Sequence, residues 1–124
     1  MGFLSKYSPQ ILGILRIVVG LLFVEHGLMK LVGFPASMGA GPLPPLMLAA
    51  GIIETVGGGL VALGLFSRYA AFVCSGQMAF AYFIAHFPRG IYPALNGGDA
   101  AILFCFIFLY LAAAGPGAFA INNK

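Results

Sequence analysis

Four stretches of this sequence stay apolar for about as long as a helix needs to cross a bilayer, roughly 20 residues. They run from Pro9 to Leu31, Leu43 to Phe66, Tyr69 to Phe87 and Asn96 to Ala114. Of the 124 residues, 61% are hydrophobic and 7% charged, against roughly a quarter charged in an ordinary soluble domain. Mean hydropathy is +1.04. A water-soluble fold of this size leaves too large a share of its area exposed to hide so much apolar surface, and disordered chains are polar and charge-rich. The expected fold is therefore all-α: a single membrane domain over residues 1–124, built as an antiparallel bundle of four transmembrane helices. Its principal partner is the lipid bilayer. The net charge of +3 comes from six scattered basic residues, which form no basic patch, so nucleic acid is not expected as a partner.

Punctuation separates the runs. Ser8 before Pro9 is expected to cap the first helix. Pro35, Gly39, Gly41, Pro42, Pro44 and Pro45 break the chain between the first two runs. Ser67-Arg68 is expected to form a tight turn between the second and third. Pro88, Gly90, Pro93, Gly97 and Gly98 separate the third from the fourth, and Gly115-Pro116-Gly117 ends the last. The first run is too long for the core of a cleaved signal peptide, and Arg16 interrupts it. Four spans place both termini on one side with Lys6, Arg68 and Lys124, against Lys30 and Arg89 on the other. That bias puts the termini in the cytoplasm. Cys74 and Cys105 lie in apolar runs at depths differing by roughly 8 Å, which argues against a mutual disulfide, and no metal-ligand spacing is present.

The polar residues within the spans carry the functional expectations. Gly13, Gly20 and Gly27 repeat at seven residues, with Arg16, Phe23 and Lys30 beside them, which marks the buried side of the first helix. Glu54 shares a face with small residues, as does Gln77. Counting 1.5 Å per residue puts Arg16 roughly 10 Å, Glu54 roughly 18 Å and Gln77 roughly 13 Å from the cytoplasmic end, so a buried Arg16–Glu54 pair with Gln77 nearby is predicted. Such a pair serves equally well to fix helix register. Toward the outer end lie Glu25, His26, Lys30, His86, Arg89 and Asp99, with Tyr82 and Tyr92 close by. Lys30 and Arg89 are expected to reach for the interface, Asp99 to sit at a helix start, and Glu25 to face headgroups or another protomer.

No GxGxxG, P-loop, HExxH, paired CxxC or Ser-His-Asp order is present. Four short spans without an internal repeat do not suggest a transporter working by alternating access. His, Tyr and carboxylates at the outer interface suit a quinone headgroup, and two histidines can in principle ligate a haem. His26 and His86 are the candidate catalytic residues.

Taken in order, the segments resemble a known family. LRIVVGLLFVEHGLMKLVGFP is similar to the opening of DoxX-family membrane proteins, through Arg16, Gly20, Phe23, His26, Gly27 and Lys30. ETVGGGLVALGLFSRYAA resembles the second block, through Glu54, Gly58, Leu60, Gly64, Leu65 and Arg68. AHFPRG, NGGDAA and the late GPG resemble the remainder. Two departures stand out: Asp99 where the family usually has Glu, and Ala120-Ile121-Asn122 where it usually has Ser-Leu-Asp. The resemblance implies a four-helix membrane protein. It also implies a link to the small subunit of a thiosulfate–quinone oxidoreductase, from which the family is named. It marks Arg16, His26, Lys30, Glu54, Arg68, His86 and Asp99 for testing without giving any of them a chemical step. The leading expectation is a component of a bacterial cytoplasmic membrane that exchanges electrons or protons with quinone beside a partner redox subunit. The alternatives are a non-enzymatic subunit or assembly factor, with the small-residue seams and Glu25 serving a homo-oligomer, and a binder of a hydrophobic ligand.

Overall fold

A computed structural model describes residues 2–37 and 41–124; Gly39, one of the expected helix breakers, lies outside them. All regular structure among the described residues is helical. A short α1 (Gly2–Ser5) leads into α2 (Ser8–Leu31), followed by α3 (Pro45–Leu63) and α4 (Ser67–Ala81). A π-helical turn (Tyr82–His86) and a 3-10 turn (Phe87–Arg89) prolong α4. A short α5 (Pro93–Asn96) then precedes α6 (Asp99–Ala114). Among the described residues, three helices are long and apolar enough to cross a membrane: Ser8–Leu31, Pro45–Leu63 and the continuous Ser67–Arg89. The fourth, α6, is apolar but has only 16 residues, roughly 24 Å at helical rise.

Several boundaries differ from expectation for local reasons. Ser8 is the first helical residue rather than a cap; its Oγ donates to the carbonyl of Ser5 at 2.8 Å, and Tyr7 precedes the helix without a side-chain cap. The turn between α3 and α4 is Gly64-Leu65-Phe66, not Ser67-Arg68. Gly64 ends α3 at φ 69° and Phe66 enters α4 at φ 49°, so two left-handed residues reverse the chain and Ser67 already lies in the helix. The fourth helix begins at Asp99 rather than Asn96 because Gly97, at φ 77°, breaks off α5 first.

The seven-residue glycine seam brings α2 close to α3. A Cβ on Gly20 would lie 2.6 Å from the Ala62 nitrogen and 2.8 Å from the Gly58 carbonyl oxygen. Only missing side chains permit that approach, which in lipid replaces hydrophobic exclusion as the source of helix cohesion. On the other flank α2 meets α6 through rings. Phe23 lies 4.8 Å from Phe108 and 5.2 Å from Phe104, centroid to centroid. Ser75 ties α4 to α6 by donating to the Cys105 carbonyl at 2.7 Å. Val19, Phe23, Val61, Ala71, Cys74, Phe108 and Leu111 fill the middle, and both cysteines are free thiols. Outward faces carry Ile14, Leu21, Val56, Phe72, Phe80 and Phe106, all exposed. A soluble protein does not present apolar area on this scale.

Candidate functional site

Three polar arrangements are set into this apolar frame. The first differs from expectation. Arg16 is fully buried but does not meet Glu54. Its Nη1 donates to the carbonyls of Pro116 at 2.6 Å and Ala118 at 3.0 Å, and its Nη2 to those of Phe119 at 3.0 Å and Ala62 at 3.5 Å. The segment after α6 turns back across the first turns of α2, where the Ala118 amide donates to the Pro9 carbonyl at 2.8 Å. Depth counting along straight helices omits this return, and so omits the carbonyls that reach Arg16 first. Ala62 lies in the last turn of α3, where unpaired carbonyls make a partial negative charge. Arg68 does the same for α6: its Nη1 donates to the Ala113 carbonyl at 3.0 Å, and its Nε to that of Asn123 at 3.0 Å.

The second arrangement belongs to Glu54, which is 1% exposed. Its Oε1 lies 2.8 Å from Lys30 Nζ and its Oε2 accepts from Gln77 Nε2 at 2.9 Å. Gln77 therefore stands where the sequence places it, beside Glu54, while the cation is Lys30 instead of Arg16. Nor does Lys30 reach for the interface. Its four-carbon stem runs inward along α3, over Gly51, where a Cβ would lie 3.2 Å from the Lys30 Cβ. Opposite charges held this close in an apolar surround need each other: removing either partner leaves an uncompensated ion.

The third lies at the π-helical turn. Tyr82 and His86 stack at 6.3 Å between centroids. Behind them sits Asn96, 1% exposed. Its Nδ2 donates to the Tyr82 hydroxyl at 3.1 Å and to the Gly90 carbonyl at 2.9 Å, and its Oδ1 accepts from the Gly98 amide at 2.8 Å. His86 Nδ1 pairs with the Asn96 carbonyl at 3.3 Å. A carbonyl only accepts, so Nδ1 carries the hydrogen, and in the neutral ring Nε2 keeps a lone pair. Tyr82, already accepting from Asn96, retains its own O–H to donate. The turn thus presents one donor and one base side by side. π-turns of this kind recur at functional sites.

His26 is bonded similarly, its Nδ1 to the Leu22 carbonyl at 2.9 Å, with its ring edge 5.6 Å from Phe104. Among the described residues no hydrogen bond or ring contact joins His26 to the His86 turn. Glu25, Arg89 and Asp99 are exposed, with no hydrogen bond or ion pair among the described residues. The outer cluster expected from Glu25, Lys30, Arg89 and Asp99 is therefore not assembled: Lys30 leaves it for Glu54, and Asp99 occupies the first turn of α6, where a carboxylate meets the positive helix end. No three His, Cys, Asp or Glu residues among those described gather as a metal site. Asn96 is the residue that sequence reasoning passed over. Its signal was an amide directly before Gly97-Gly98 at a helix end, where a side chain can close a turn.

Long apolar helices, a glycine seam and buried charges held by ion pairing or backbone carbonyls define an integral membrane protein of the helical class. The DoxX family model matches residues 11–87, and the chain belongs to the DoxX family. The match takes in Arg16, His26, Lys30, Glu54, Gln77, Tyr82 and His86, and stops short of Asn96, Asp99 and the returning tail. A protein of Haemophilus influenzae, described as uncharacterized, is 47% identical over 130 residues, covering all of this chain and 97% of its own length. No solved structure matches the chain.

Proposed function

We propose that this protein is a quinone-linked component of a bacterial cytoplasmic membrane, working beside a partner redox subunit. In this reading all four apolar helices span the bilayer as one domain over residues 1–124, and both termini face the cytoplasm. With Lys30 turned inward, the basic residues at the two ends favour that orientation: Lys6, the half-buried Arg68 and Lys124 at one end against Arg89 at the other. The observation that carries the function is the Tyr82–His86–Asn96 turn. A quinone supplies two-electron, two-proton chemistry when bound. Its carbonyl oxygens need donors and its reduced hydroxyls need acceptors, and Tyr82 O–H and His86 Nε2 are one of each. Asn96 fixes both rings from behind. Phe83 and Phe87, ring neighbours of Tyr82, are exposed and offer an apolar approach from the lipid. His26 holds a second free Nε2 on α2. The residues do not fit a haem, since His26 lies on an exposed face of α2 and makes no contact with the His86 turn.

The test is a dithionite-reduced minus oxidised spectrum of the protein in mild detergent, read through the ultraviolet, with quinone extracted from the same sample. The expected result is a quinone-type ultraviolet change, weakened in Tyr82→Phe and His86→Gln. A flat spectrum, with no retained quinone and a constant protein co-purifying, would replace this reading with that of a non-enzymatic subunit or assembly factor. The exposed Glu25, placed for contact with a neighbouring span or a second copy, favours that alternative.

A further inference from the structure

The end of the molecule opposite the Tyr82–His86 turn carries a hollow of about 640 Å³ lined by Arg68, Tyr69, Phe72, Val73, Ala112, Asn123 and Lys124. Its rim is cationic and its wall apolar. Arg68 is held by three hydrogen bonds, to the carbonyls of Ala113 and Asn123 and to Asn123 Oδ1 at 3.3 Å. A guanidinium has five N–H donors, so one hydrogen remains on each terminal nitrogen, in a group already fixed in place. Lys124 Nζ sits 5.7 Å over the Phe66 ring on the same rim. No carboxylate side chain neutralises this pair. The chain's three acidic residues are Glu25, Glu54 and Asp99; Glu54 is taken by Lys30, Asp99 starts α6 at the far end, and Glu25 lies toward the far end of α2. Below the rim, Tyr69 and Phe72 are 71% and 65% exposed, one helical turn apart and directed along the outer face of α4.

We propose that this hollow binds an anionic phospholipid, its phosphodiester on Arg68 and Lys124 and an acyl chain along Tyr69, Phe72 and Val73. The two unused guanidinium hydrogens suit a phosphate, which arginine binds in a forked, charge-assisted geometry. A free anion would use the rim and leave the wall bare, whereas a lipid uses both. The site is independent of the quinone-linked reading.

The experiment is thermal unfolding and native mass spectrometry of the full chain in detergent, titrated separately with phosphatidylglycerol, phosphatidylcholine and inorganic phosphate. Phosphatidylglycerol is expected to stay bound and to raise the unfolding midpoint, with an affinity about tenfold above that of phosphatidylcholine, which has the same phosphodiester but also a trimethylammonium that the two cations repel. Lys124→Gln, which leaves the Arg68 bonds intact, should narrow that preference, and Arg68→Gln should abolish it. Equal binding of the two lipids overturns the proposal, as does protection by inorganic phosphate equal to that by phosphatidylglycerol. An unchanged preference in Lys124→Gln removes that residue's part, and if it also persists in a folded Arg68→Gln the site is elsewhere.

Discussion

The two ends of this molecule treat polar groups in opposite ways. At the tail end, Arg16 and Arg68 are bonded into carbonyls from α3, α6 and the returning segment, so cations serve as clasps on backbone. At the other end, Tyr82 and His86 are fixed from behind by a buried amide but each keeps one hydrogen-bonding function unused, and Glu25, Arg89 and Asp99 stand exposed. Between them Lys30 and Gln77 both bond the Glu54 carboxylate, with Gln77 Oε1 left buried and unpartnered. Polar groups bonded mainly to backbone or to one another inside the bundle hold a fold together. Groups held rigidly with one function open are the ones suited to meeting a ligand, since a substrate benefits from preorganised partners. Burial alone does not distinguish the two kinds, and neither does an open function alone, since Arg16 Nε and Gln77 Oε1 are buried without a partner. An open function on a group that reaches the surface does, and by that measure Arg68 is both clasp and contact.

The contrast can be broken by substitution. Replacing Arg16 with Gln should have the largest effect, because it strips several buried carbonyls of their donor at once. A loss of about 3–5 kcal/mol, as expected when several buried carbonyls each lose a donor at about 1–3 kcal/mol, should appear as a collapsed thermal midpoint and poor recovery in detergent. A stable Arg16→Gln protein would show that the tail is held by its other contacts.

Next comes Glu54→Leu, which leaves the Lys30 ammonium unpaired and should cost on the order of 3 kcal/mol. Adding Lys30→Met should restore much of that loss, because the pair is replaced by apolar groups. If the double variant is as unstable as the single one, the ion pair is not the source of the instability. Gly20→Leu should cost about 1–3 kcal/mol through overpacking against Ala62 and Gly58, measured by the same unfolding assay, with Gly59→Leu as the unobstructed control.

Asn96→Ala separates the ends most sharply. It removes the donor to Tyr82 and Gly90, for a stability loss of about 1–3 kcal/mol, yet quinone retention should fall further than the same loss elsewhere would explain. Glu25→Gln should be the mildest, within about 0.5 kcal/mol. A large shift in the oligomer's unfolding, and not the monomer's, would place Glu25 in a protomer contact.

Much of the architecture was legible in the sequence because lipid demands long apolar runs and close helix approach demands small residues. Gly13, Gly20 and Gly27 identified the buried seam of α2, and Glu54 with Gln77 could be paired from face and height. What failed was anything that depends on chain outside straight helices. Arg16 was matched to a carboxylate because carboxylates are visible as letters, whereas backbone carbonyls of Pro116, Ala118 and Phe119 are not. A general rule about helix ends sends Lys30 outward, because it ignores where the long stem can reach. Asn96 was counted as the first residue of a span, though Gly97 ends one helix before Asp99 starts another. The π-turn leaves no periodic signal at all, since one extra residue in the hydrogen-bond ladder looks like ordinary helix in letters.

The clasp on Arg16 has a consequence for how the protein is made. Its acceptors at residues 116–119 lie about a hundred positions downstream. At ribosomal speeds of about 5–20 residues per second, the first helix therefore enters the membrane on the order of ten seconds before its cation has most of its partners, the Ala62 carbonyl alone arriving earlier. Until then the charge must be sheltered by water, headgroups or the insertion machinery. A chain interrupted anywhere between α3 and Pro116 would keep in its first span a guanidinium with only the Ala62 carbonyl to meet it, giving quality-control proteases a mark that separates unfinished copies from finished ones.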